Sequence, residues 1–211
     1  MASALLCGLG VWLAVAPTLT ASSEKEVENW AEGPVRWLLL PGELKQLRNI
    51  DADSEASSYI EVFWERRDPE PHSSDNDYRE VFAERVEAAD LLYSDEGVRG
   101  SLTDRGRALI LMGSPSHITI STEPVMAFDA AKEIAERVSM RTVDIEIWGY
   151  RMEELPPGTL DIWLAKKKKA AEDTLTLTLR FREVGRRTSL VDGEALLDAA
   201  ARAAAFQSAD K

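Results

Sequence analysis

Apolar residues recur at helical spacing through the first half of the chain and at every second position through much of the second. Val35, Trp37 and three leucines precede Pro41-Gly42, a helix start, and Leu44 and Leu47 at spacing three then predict a short helix held down by one apolar face. Ala56, Tyr59, Ile60 and Phe63 predict a second helix, which Ser54 can cap. Asp68-Pro69 stops it, because proline disfavours the helical region for the residue before it. After a rigid Pro-rich loop, Ser74 with Asp77 reads as a capping-box variant opening a third helix. Tyr78, Val81, Phe82, Val86, Ala89 and Leu92 or Tyr93 form its apolar stripe, and the second and third helices are expected to pack together.

Beyond Asp95 the period changes. Ala108 to Met112 is a continuous apolar run between Gly106 and Gly113, as expected of a central strand covered on both faces; a run of this length leaves a short buried helix open as the alternative. Ile118 and Ile120 alternate with polar neighbours and predict a strand, whereas Ala127, Ala130, Ala131, Ile134 and Val138 predict one side of a helix. Three alternations come next, Val143-Ile145-Ile147, Leu160-Ile162-Leu164 and Leu175-Leu177-Leu179-Phe181, and predict a half-buried antiparallel sheet. Pro156-Pro157-Gly158 and the run Lys166 to Lys169 would be its turns, and Gly193 to Gln207 an alanine-rich terminal helix. The expected fold class is therefore α+β, with N-terminal helices packed on a small, mostly antiparallel sheet.

The 211 residues, 45% hydrophobic and 29% charged, suffice for one ordinary domain with a real core. The plan is a signal peptide over 1–23, a flexible lead-in over 24–34, an α+β domain over 35–192 and a terminal helix or tail over 193–211. No charged residue precedes Glu24, so the net charge of −12 belongs wholly to the chain from Glu24 onward. Such a surface repels nucleic acid and anionic lipid, and no nucleic-acid partner is expected. The uncharged core "ALLCGLGVWLAVA", then Pro17 and small residues, has the pattern of a secretory signal, best cut after Ser23. Its core is shorter than the roughly 20 residues a span requires, so cleavage would leave no transmembrane helix and an exported protein, periplasmic or secreted. Cys7 is the only cysteine, which leaves the mature chain without disulfide or thiol chemistry.

Chemistry-bearing motifs are sparse. Gly100 to Gly106 lacks the Gly-Lys-Ser/Thr ending of a phosphate loop, and its glycines are too far apart for a dinucleotide turn, so no cofactor is expected. His72 and His117 are far apart without clustered acids, which gives no metal site. Ser114 sits between glycine and proline, where a turn is the ordinary reading. Two clusters remain. Arg66, Arg67 and Asp68 end the second helix, and Thr103, Asp104, Arg105, Gly106 and Arg107 precede the apolar run. Arginine forks suit buried carboxylates and carbonyls, so the clusters would tie the helical layer to the sheet. In that reading Thr103 or Asp104 caps backbone donors, Gly106 allows a tight or left-handed bend, and Arg105 or Arg107 reaches Asp68 or the carbonyls near it. The alternative is an anion-handling or hydrolytic enzyme in which Asp68, Asp104, Arg105 and Arg107 converge, free and wet, in one pocket.

Taken in order, "WLLLPGELKQL", "FWERRDPEP", Asn76 with "YREVFAERVEAAD" behind it, "GSLTDRGRALILMGSPSHI" and "EIWGYR" resemble the GWxTD domain family of exported bacterial proteins, over about Trp37 to Arg151. The most specific motifs are Arg66-Arg67-Asp68-Pro69-x-Pro71 and, after Gly100, Thr103-Asp104-Arg105-Gly106-Arg107. Ser101 stands where the family has its eponymous tryptophan, and Gly113-Ser114-Pro115-Ser116 where it usually has Gly-Pro-Pro-Asp. The resemblance implies an exported protein of a bacterial envelope and carries no established biochemical activity. A shorter likeness, Gly113 to Pro115 and then Trp148 to Tyr150, is similar to small outer-membrane assembly lipoproteins and favours a binding module. The expected function is thus a protein-interaction or scaffold module whose partner is another envelope protein.

Overall fold

The computed structural model describes residues 29–50, 53–94, 97–128, 138–166, 177–184 and 187–206. The apolar start with Cys7, the lysines at 167–169, Leu175 and the stretch with Ala130, Ala131 and Ile134 lie outside them.

The first helix, α1 (Pro41–Leu47), comes after a 3-10 turn at Pro34–Trp37 and begins with proline at its first position, where a missing N–H costs nothing. Glu43 closes its start by accepting from the Leu40 N–H at 2.9 Å. Helix α2 (Asp53–Glu65) begins one residue before Ser54 and buries Ala56 and Phe63. Helix α3 (Asp77–Tyr93) is capped by Asn76 and not by Ser74. The Asn76 Oδ1 accepts from Arg79 N at 2.9 Å while its Nδ2 donates to the Trp64 carbonyl at 2.8 Å, so one amide starts α3 and holds the end of α2. The two helices do meet, through the Trp64 and Phe82 rings, whose centroids are 5.2 Å apart. Val81 and Leu92 stay exposed, because the covered face of α3 is the narrower line of Phe82, Val86, Ala89 and Tyr93.

The apolar run Ala108 to Met112 is not a strand. It forms the C-terminal half of α4 (Asp104–Met112), entered through a 3-10 turn at Gly100–Leu102, and all five residues are buried. A helix enclosed on every side has no polar face and hence no readable period. Leu160-Ile162-Leu164 likewise belongs to a helix, α5 (Thr159–Lys166). Gly158, at φ +76°, turns the chain into it, and the buried pair Thr159 and Trp163 at spacing four outweighs the period of two.

Strands β1 (His117–Phe128), β2 (Val138–Tyr150), β3 (Leu177–Val184) and β4 (Arg187–Asp192) form an antiparallel sheet in the order β1-β2-β3-β4. Ala127 and Val138, expected on a helix, lie on paired strands opposite Ser139 and Phe128. Trp148 faces Leu179 and Tyr150 faces Leu177, which sets these four large side chains into the core. Helix α6 (Glu194–Ala204) completes it with Leu196, Leu197 and five buried alanines that permit close packing. The fold is α+β, with the N-terminal helices ahead of an antiparallel sheet. Among the described residues no helix is long and apolar enough to cross a membrane.

Tyr78 on α3 packs against this core, and burial pushes its phenol up to about 12 from 10.0, with Arg67 and Arg85 opposing. Burial pushes the Tyr150 phenol up as well. Between about pH 10 and pH 12 the unfolded chain ionises tyrosines that the folded chain keeps neutral, so this part of the stability, intact below pH 10, is lost as pH rises through that window. In an alkaline titration, tyrosinate absorbance should therefore rise together with loss of helical circular dichroism, and Tyr78→Phe should flatten the loss. Tyrosines that ionise while the circular dichroism stays native would contradict this.

Candidate functional site

The two motif clusters lie at the seams between elements. In the first, Arg67 is completely buried, at 0% exposure. Its Nη1 and Nη2 donate to Glu43 Oε1 and Oε2 at 3.0 and 2.8 Å, a two-pronged pair, and also to the carbonyls of Phe63 and Leu38 at 3.0 Å each. The guanidinium stacks 3.6 Å from the centroid of the Phe63 ring. One side chain thereby joins α1, α2 and the segment before α1. Arg66, by contrast, is exposed in the turn after α2. Asp68 is buried but local, accepting from the Glu70 N–H at 2.8 Å across Pro69, and its carboxylate does not serve as the partner expected for Arg105 or Arg107. Asp68 also lines an open cleft of about 610 Å³ with Glu61, Glu65, Asp75, Arg79 and Glu80; Asp104, Arg105 and Arg107 line none of it.

In the second cluster Thr103 caps α4 as expected. Its hydroxyl donates to the Gly100 carbonyl at 2.7 Å and accepts from Gly106 N at 3.0 Å. Gly106 makes no left-handed bend, because it lies inside the first turn of α4. What it provides is closeness: a Cβ there would stand 1.9 Å from the Gly100 carbonyl oxygen, and a Cβ on Gly100 would stand 1.9 Å from the Ala89 carbonyl oxygen. Backbone thus lies on backbone from α3 through the 3-10 turn to α4. Asp90 secures the turn, accepting from Ser101 N at 2.8 Å and pairing with Arg99 at 2.6 Å. Burial raises the Asp90 carboxyl, but these two donors outweigh it and hold the group below its ordinary value. Ser101 is buried, and its carbonyl accepts from the Trp37 indole at 2.8 Å, so a tryptophan from the Pro34–Trp37 turn sits beside residue 101.

The charged residues of α4 then reach the sheet and α6. Asp104 Oδ2 accepts from Leu190 N on β4 at 2.8 Å. Arg105 lies 3.6 Å from Glu146 and stacks 4.9 Å from the Tyr93 centroid, and Glu146 in turn accepts from the indole N–H of the buried Trp148 at 2.6 Å. Arg107 pairs with Glu194 at 2.8 Å and Asp198 at 3.5 Å on α6, under the Trp37 ring. At the far end of α4, Gly113 takes φ +80° and Arg85 donates to the Ile110 carbonyl at 3.0 Å. Pro115 leads on to β1. Among the described residues no three His, Cys, Asp or Glu side chains come together as metal ligands.

Sequence reasoning missed Glu43, Trp37, Arg85, Glu146, Glu194 and Asp198. Glu43, three residues into a proline-started helix, carried a usable signal as a capping carboxylate; the others carried none. Because Asp104 is a charged acceptor for a strand N–H, Asp104→Ala should cost about 1.5 to 3 kcal/mol. It should also speed hydrogen exchange at Leu190 N while leaving β2 amides protected; an unchanged Leu190 rate would show that the bond contributes nothing. Compared with protein-family models, curated proteins and solved structures, the chain has no match, so the site is read from its own geometry.

Proposed function

We propose that the chain is an exported, envelope-associated module of protein interaction or scaffolding, akin to the GWxTD domain proteins, whose partner is another envelope protein. The observation that carries this reading is the employment of the motif side chains. Arg67, Asp104, Arg105 and Arg107 each bind a group on a different structural element. The anion-handling or hydrolytic alternative needs Asp68, Asp104, Arg105 and Arg107 in one wet pocket, and Asp68 lines a cleft without the other three. Export is supported by the uncharged apolar start and the first charge at Glu24.

Two measurements test the proposal. Mass spectrometry of the native protein from a fractionated cell should find it in the envelope or medium with its N-terminus near Glu24; an intact chain beginning at Met1 in the cytoplasm contradicts export. Cross-linking in intact envelopes should recover a defined partner protein in stoichiometric yield. Failure to recover one, together with a hydrolytic activity abolished by Asp104→Asn, would favour the enzyme.

A further inference from the structure

The basic residues of the four strands are Arg141, Arg180, Arg182 and Arg187, and the register puts all of them on one face of the sheet. Trp148, Leu179 and Phe181 turn inward to the core, so Ile145, Ile147, Arg180 and Arg182, which alternate with them, turn outward. Arg141 shares the parity of Ile145 on β2, and Arg187 on β4 lies opposite the strand position two residues beyond Arg182. None of these outward side chains belongs to the core that the helices share, yet Ile145 is buried, at 2% exposure. Its cover is arginine. Arg182 stands directly opposite it, and Arg180 crosses β2 to pair with Glu123 on β1. The aliphatic stems roof the isoleucines, and the guanidinium heads form the surface.

The acids on this face are Glu123, held by Arg180, and Asp192, which accepts from Gly193 N at 2.8 Å. Among the described residues Arg141, Arg182 and Arg187 have no carboxylate partner, and the Arg182 Nε is shielded from water without an acceptor. A shielded donor with no acceptor is costly, and a carboxylate supplies one in the geometry a guanidinium fork prefers. On a chain of net charge −12 the sheet thus turns a positive face outward.

We propose that this face docks an extended acidic segment of the partner protein, a proposal that rests on the interaction role above and names the chemistry of the partner. Arg180 and Arg182 lie two residues apart on one strand, about 7 Å, which is also the spacing of alternate carboxylates on an extended segment. A guanidinium has five donors, so Arg180 keeps some beyond those given to Glu123. A membrane or a nucleic acid spreads its charge over a plane or a rod, and the whole acidic chain would meet it. A single segment meets this face alone, because salt screens exposed charges beyond about 8 Å.

The probe is a short fluorescein-labelled peptide of alternating Glu and Thr, titrated with the purified full chain and followed by anisotropy. It should bind, progressively less as salt is raised, and its Gln-and-Thr counterpart should not. Arg182→Gln with Arg187→Gln should weaken binding at least about tenfold and leave the melting temperature unchanged, since neither side chain holds an ion pair. Arg187→Glu, at an exposed position, repeats the test without uncovering Ile145. Arg48→Gln, which removes one charge at the exposed end of α1, should leave binding unchanged. The proposal is overturned if the Glu and Gln peptides bind alike, if Arg48→Gln costs as much as the paired change, or if phosphatidylglycerol vesicles bind and the peptide does not. In intact envelopes, a partner that cross-links to the Arg182→Gln, Arg187→Gln protein in parental yield would also overturn it while leaving the interaction role standing. No partner in either sample would count against the interaction role alone, because the peptide titration still decides the surface.

Discussion

Arg67→Met should lower the free energy of unfolding by about 3 to 5 kcal/mol, the cost of stranding one partner of a buried ion pair. For a chain of this length that is a fall of roughly 6 to 20 °C in melting temperature. Methionine keeps much of the volume over Phe63, so the loss reports the charge and not a cavity. With the guanidinium gone, the Leu38 and Phe63 carbonyls lose a donor, and Glu43, at 8% exposure, is left with the Leu40 N–H. Glu43→Gln in the Arg67→Met background should then cost little more, or restore stability, because it removes the stranded charge. The two changes should be strongly non-additive in urea unfolding, since they share one network. Additive losses, or an Arg67→Met variant that unfolds like the parent, would show that the pair does not hold α1 to α2.

Gly106→Ala should be comparably severe, at about 3 kcal/mol or more. Alanine gains up to about 1 kcal/mol over glycine inside a helix. Here that gain is overridden, because the new methyl would lie 1.9 Å from the Gly100 oxygen and 2.8 Å from its carbonyl carbon. The obstruction is backbone and cannot rotate aside, so the whole first turn of α4 must move, and overpacking of this kind costs about 1 to 3 kcal/mol or more. The same urea experiment contains its own control in Gly42→Ala. That glycine is also helical, but its added Cβ meets nothing within 4 Å, so the substitution should be neutral or stabilising by up to about 1 kcal/mol. If both variants unfold alike, the close stacking of α3, turn and α4 is not what requires glycine at 106.

Helices α1, α2 and α3 are legible in the sequence because each keeps one face in water, and a half-covered helix writes a period of three to four. Helix α4 is not, since enclosure on all sides erases the contrast, and its five apolar residues read equally well as a central strand. Helix α5 mimics a strand because three aliphatic residues happen to alternate while its anchors, Thr159 and Trp163, keep the helical spacing. The chemistry of the motifs is partly readable. A threonine three residues before a glycine announces a cap, and arginines announce carboxylates. Which carboxylates they meet is hidden, because the partners are set by tertiary folding: Glu43 lies 24 residues before Arg67, while Glu194 lies 87 residues after Arg107 and Leu190 lies 86 after Asp104. The glycine requirement at 106 is legible and its cause is not, since the close approach comes from a carbonyl on another element. Strand β1 is visible from its alternation, but alternation does not tell that Ile118 and Ile120 lie on an edge strand with their side chains in water.

The structural role of the α4 motif is tested most directly by measuring stability and partner cross-linking on the same samples of Asp104→Asn, Arg105→Gln and Arg107→Gln, at one temperature well below every midpoint. If these side chains tie α4 to β4, β2 and α6, each variant unfolds at lower urea than the parent and retains the parent's cross-linking yield. Parental unfolding with loss of cross-linking, or of a hydrolytic activity, would instead make Asp104, Arg105 and Arg107 the functional site.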